Sequence, residues 1–201
     1  RYHKVTGVQT CALPILDSDG YSQKQLDDLF MDMIAYYDGD PKRIQHFTKV
    51  HSYARLIGVG ENLDDTSLFI LEAAAYTHDI GIRVAEEKYG KCDGKLQEQE
   101  GPIVAQKMLS QLGFENYMVE RICFLIGHHH TYDNIDGLDY QALVEADFLV
   151  NLYEDDAGNR AIDKAYKKIF RTNTGKKIFR LMFGYVEERS EERRVGKECR
   201  S

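Results

Sequence analysis

The chain has 201 residues, 43% of them hydrophobic and 29% charged, with a formal net charge of -7. That size suffices for one self-supporting core, and the composition excludes a disordered or collagen-like chain. The negative balance argues against a large nucleic acid as partner and against an anionic membrane surface, and no apolar run approaches the roughly 18 residues of a membrane helix.

The end stretches RYHKVTGVQTCALPI and RVGKECRS carry no helical or strand period and resemble translated sequencing-adapter read-through. The expected domain therefore spans residues 17–194, with 1–16 and 195–201 as non-native ends. Cys11 and Cys199 fall in those ends, and Cys92 and Cys123 form no CxxC pair. That usage points to a reducing, cytoplasmic setting.

Ser22 with Gln25 reads as a capping box that opens a first helix, with Leu26, Leu29, Phe30, Met33 and Ile34 on one side. Asp40-Pro41 opens a second, which carries Ile44, Phe47, Val50, Ala54 and Ile57 and stops at Gly58 or Gly60. Asp65 or Thr66 caps a third, running through Ala73 and Ala74 to His78 and ending around Gly81. Residues 86–100 are polar and read as a loop that could lie over a pocket. Further helices are expected at about 101–112, 115–128, 140–153, 157–170 and 176–192, with the turn-rich HTYDNIDGLDYQ between the fifth and sixth. Strand alternation is nearly absent. The expected fold class is all-α, a single bundle of about eight helices.

His78 and Asp79 place two potential metal ligands side by side at the end of a small-residue helix. His46 lies on an apolar helix face with Val50, Tyr53 and Ile57, where an imidazole needs a partner. His128 and His129 end another apolar helix. Asp147 sits among Val144, Phe148, Leu149 and Val150, where an unpaired carboxylate is costly. Each residue alone has an ordinary structural explanation. Their joint spacing over four helices suits a metal site built from facing helices.

The segments RIQHFTKVHSYA, AAAYTHDIG, LIGHHHTYD and VEADFLVNL together resemble the H…HD…HH…D pattern of the HD superfamily of metal-dependent phosphohydrolases, over about residues 41 to 155. The resemblance implies an HD-type bundle in which His46, His78, Asp79 and Asp147 hold one divalent ion. His51 is the runner-up to His46 but points away from the Val50 and Ala54 side. Some members hold a second ion, for which Glu100, His128 and His129 are the candidates here. HHHTYDN loosely resembles the HHExxDG stretch of cyclic-dinucleotide phosphodiesterases, with His130 where the Glu would stand.

The mixed N/O donor set suits Mn, Mg, Fe, Co or Ni better than a thiolate-rich zinc site. Asp79 would ligate and orient water, while His128 or His129 would touch the phosphate or act as acid. Arg43, one turn before His46, would contact the substrate, and Lys49 is a second candidate. The expected substrate is a small phosphorylated molecule, a nucleotide among the options, and the expected assembly is a homodimer. A metal-binding module without turnover and an HD-type di-iron oxygenase are the competing readings.

Overall fold

The computed structural model describes residues 23–187. Within them the chain forms nine helices: α1 (Gln23–Tyr36), α2 (Pro41–Gly60), α3 (Asp65–Thr77), α4 (Gly81–Tyr89), α5 (Gly94–Gln111), α6 (Asn116–Ile126), α7 (Leu138–Glu154), α8 (Asn159–Lys168) and α9 (Asn173–Phe183). No strand occurs among the described residues. The expected all-α bundle is therefore what the chain adopts, with one helix more than the sequence suggested. Ser22, the proposed cap of α1, and both suspect ends lie outside the described residues.

Helix α3 is the axis of the bundle. Leu71, Ala73, Ala74 and Ala75 have no exposed surface. Three consecutive alanines leave no bulky face, so α1, α2, α6 and α7 can all press close. Helix α2 lies against both α3 and α7, burying Phe47, Val50, Ala54 and Ile57 along one stripe. Each such large side chain taken from water is worth about 1.5–3 kcal/mol. Helix α3 begins one residue earlier than the sequence indicated: Asp64, not Asp65 or Thr66, is the cap, and its carboxylate accepts from Ser67 N.

The polar stretch 86–100 is not a loop. Gly90, at φ 67°, ends α4 in the left-handed conformation that favours glycine. Asp93 then caps α5 by accepting from Leu96 N. Pro102, expected at a helix start, sits inside α5. Helices α4 and α5 approach so closely that a Cβ on Gly81 would stand 2.7 Å from both Gln97 O and Gly101 N. At the other end, Gly184 stops α9 at Phe183, short of the expected 192. No helix among the described residues is long and apolar enough to cross a membrane.

Candidate metal centre

Four elements deliver the central side chains. His46 comes from α2, His78 caps the C-terminus of α3, Asp79 follows it in the tight link to α4, and Asp147 comes from α7. Tyr36, the last residue of α1, and Tyr37 just after it pin that link. The Tyr37 hydroxyl donates to Asp79 O at 2.7 Å, and the Tyr36 hydroxyl donates to Ile80 O at 3.2 Å. The packing of α2 and α7 against α3 then brings His46 and Asp147 to the His78–Asp79 pair.

The two Nε2 atoms of His46 and His78 stand 3.2 Å apart. Asp79 Oδ2 lies 3.4 Å from His46 Nε2 and 3.5 Å from His78 Nε2. Asp147 Oδ1 lies 3.3 and 3.6 Å from the same two atoms. The carboxylates thus flank a shared imidazole edge. Adjacent ligands held about 2.1 Å from one ion stand roughly 3.0–3.5 Å apart, so these separations fit a common cation.

Hydrogen bonding on the far side of each ring fixes the tautomers. His78 Nδ1 donates to Ala75 O at 2.9 Å, and His46 Nδ1 donates to Glu154 Oε2 at 3.0 Å. With each Nδ1 proton spent on those acceptors, a neutral ring presents its Nε2 lone pair to the centre; without a metal, a proton takes that place on His46. Two lone pairs at 3.2 Å repel unless positive charge lies beside them. Electrostatics agree. Burial alone would lower the His46 pKa, but the hydrogen bond to Asp147 and the charges of Asp79 and Asp147, with Glu154 behind the ring, push it up to about 9. Burial opposes ionisation of Asp79 and Asp147 too, yet the neighbouring imidazoles hold both carboxyls well below the usual range. The cluster demands a cation, and a divalent ion meets that demand.

A second group adjoins the first. Asp79, His129 and His130 also place ligand-type atoms together. His129 is fully buried, and its Nδ1 donates to Ile126 O at 2.7 Å. Its Nε2 lies 3.6 Å from Asp79 Oδ1, too far for a hydrogen bond. That Nε2 is the buried side-chain polar atom left without a partner among the described residues. An orphaned buried lone pair aimed at a carboxylate is what a metal ligand looks like before the ion is counted.

Several expected residues stand elsewhere. The Glu100 carboxylate is taken by Lys88 Nζ, by Tyr89 OH at 2.8 Å and by Gln99 Nε2 at 3.0 Å, so it serves the α4–α5 junction and not a second ion. His128 turns away: its Nδ1 donates to Phe124 O at 2.7 Å and its ring stacks on Phe124. His130, not counted among the candidate ligands in the sequence, stands with Asp79 and His129 where His128 was expected. His51 lies on the other side of α2, 2.8 Å from Glu72 and stacked on Tyr76. Lys49 pairs with Glu154 at 2.7 Å. Arg43 does line the pocket, but Asp40 at 3.2 Å and Glu86 at 2.6 Å hold its guanidinium.

Asn151, Gln97 and Glu154 were not singled out in the sequence. Asn151 follows Asp147 by one turn and donates to its Oδ1 at 2.8 Å, a spacing that could have flagged it. Gln97 accepts from His130 Nε2 at 2.8 Å, and burial together with His129 pushes the His130 pKa down to about 4. His130 is therefore a neutral imidazole whose Nδ1 carries the lone pair.

Comparison with known proteins agrees with this geometry. The family model described as HD domain matches residues 43–167. A crystal structure of a predicted HD superfamily hydrolase from an uncultured Thermotogales bacterium is 26% identical, with a TM-score of 0.56, over 88% of this chain and 92% of that one. No curated protein matches the chain.

Proposed function

From the premise that the chain belongs to the HD domain family and is a metal-dependent hydrolase, we propose that it cleaves a phosphate ester or anhydride in a small molecule, nucleotides being one subset of that class. The observation that carries this reading is the convergence of His46 Nε2 and His78 Nε2 on Asp79 and Asp147. His46, His78, Asp79 and Asp147 would hold one divalent ion, and Asp79, His129 and His130 a second, with Asp79 shared. The all-N/O donor set favours Mn, Mg, Fe, Co or Ni. Bound there, such an ion supplies charge to a phosphoryl oxygen and lowers the pKa of water.

The chain's own residues do the rest. Asp79, ionised and reachable from the pocket, orients the attacking water by accepting a hydrogen bond from it. Arg43 holds positive charge on the wall at a position fixed by Asp40 and Glu86. His46 and His78 keep their protons on Nδ1, directed away from the reacting centre. The expected domain of residues 17–194 contains every one of these groups.

Metal analysis with a panel of phosphate esters and anhydrides tests the proposal. Turnover that requires added divalent metal and falls at least about a thousandfold in Asp79→Asn supports it. Tight metal binding with no turnover of any phosphate compound contradicts it, as does dioxygen consumption by a two-iron form.

A further inference from the structure

The pocket beside the centre has a volume of about 320 Å³, at the small end of the range for small-molecule sites. Apart from the ligand-type residues, its walls are Asp40, Lys42, Arg43, Gln97, Asn151 and Glu154, with Ile82 as the single aliphatic contribution. Among the described residues no Phe or Tyr ring lines it. Recognition of a nucleobase draws on aromatic stacking or an apolar slot, and these walls offer neither. They offer instead paired donors and acceptors. Asn151 spends an amide hydrogen on Asp147, which leaves its carbonyl oxygen to accept. Gln97 spends its carbonyl on His130 and an amide hydrogen on the Cys92 side chain, which leaves the other amide hydrogen to donate. A hydroxyl group both donates and accepts, so it is matched by such a pair.

The cations of the wall differ in availability. Arg43 keeps its charge but is already paired with Asp40 and Glu86 and sits 5.6 Å over the Tyr37 ring. Lys42 is exposed, lines the same pocket and makes no ion pair with any described residue. Its ammonium is the wall charge not already committed to a carboxylate.

We propose that the substrate is a compact, hydroxyl-rich phosphate ester, a sugar or polyol phosphate, and that Lys42 is the wall residue that engages its phosphate. This rests on the phosphohydrolase reading above and narrows it.

The test compares kcat/KM of the metal-loaded enzyme on glycerol phosphate, a hexose monophosphate, adenosine monophosphate and thymidine monophosphate. The proposal expects the first two to exceed both nucleotides by about tenfold or more. Lys42→Gln is expected to raise KM for the preferred ester about tenfold with a much smaller change in kcat, the mark of a lost binding contact. It should weaken inorganic phosphate, titrated calorimetrically into the metal-loaded protein, by a similar factor. Nucleotides hydrolysed as well as or better than the polyol esters overturn the substrate class while leaving the phosphohydrolase reading standing. An unchanged phosphate affinity in Lys42→Gln overturns the role of Lys42. If none of the four esters nor an anhydride such as pyrophosphate is hydrolysed, both the inference and the phosphohydrolase reading fail.

Discussion

His46 on α2 is joined to Glu154, the last residue of α7, by a hydrogen bond of 3.0 Å between Nδ1 and Oε2. The other carboxylate oxygen of Glu154 takes Lys49 Nζ at 2.7 Å. The bond therefore does two things: it locks the α2–α7 crossing that brings His46 to Asp147, and it keeps the His46 proton off the atom that faces the centre. Carboxylate support of this kind typically contributes 10–100-fold to metal affinity, by about the range seen in comparable sites.

Glu154→Ala should thus weaken divalent metal binding by about 10–100-fold, measured by competition with a chelating dye. Glu154→Gln retains an acceptor for Nδ1 and should recover most of that loss. Equal affinity in all three proteins would mean that the ring is held by packing alone.

The metal-stripped protein should lose stability as pH rises above neutrality. The folded pKa of His46 is raised from 6.5 to about 9. A raised pKa contributes stability that is complete below about 6.5 and disappears as pH climbs through about 9. Asp79 and Asp147 have lowered pKa values, so their contribution is present above the ordinary carboxylate range and is lost only in strong acid. Thermal melts in chelator should therefore fall between pH 6.5 and 9, and added metal should abolish the fall, because an ion replaces the proton. A flat profile in chelator would contradict the assignment.

His129→Leu should reduce the number of ions bound from two to one while leaving the fold intact. The substitution removes the orphaned Nε2 and keeps an apolar group of similar bulk in a fully buried position. Metal content after gel filtration checks it. Two ions retained by the variant would assign the second site to other residues.

Gly81→Ala tests the packing that carries α4. Its Cβ would meet backbone atoms of Gln97 and Gly101, which cannot swing aside as a side chain can. A cost of about 1–3 kcal/mol is expected from forced overpacking, read from urea unfolding. An unchanged midpoint would show that α4 and α5 can separate freely.

Much of this was legible in the sequence, and the gaps have physical reasons. Helix α2 repeats its buried residues at a helical spacing, and α3 and α7 are apolar almost all round, so they announce both the helices and the polar residues set among them, His46 and Asp147. Helix α4 buries little beyond Gly81 and Ala85, so no apolar stripe advertises it. Its stop at Gly90 and the restart at Asp93 are visible only as capping chemistry. The run His128-His129-His130 lies in a turn. Helical spacing cannot say which ring faces inward there. Individual bonds decide it, a local one from His128 back to Phe124 O and a tertiary one from His130 to Gln97. Glu100 was a reasonable ligand by type, but Lys88 and Tyr89 become its neighbours only once α4 is recognised as a helix.

The central claim is that one divalent ion sits among His46, His78, Asp79 and Asp147. Anomalous diffraction from crystals grown with manganese tests it most directly. The account predicts a peak about 2.0–2.4 Å from the Nε2 atoms of both histidines and from an oxygen of each aspartate. A peak that omits His46 or Asp147, or none at saturating manganese, would contradict it.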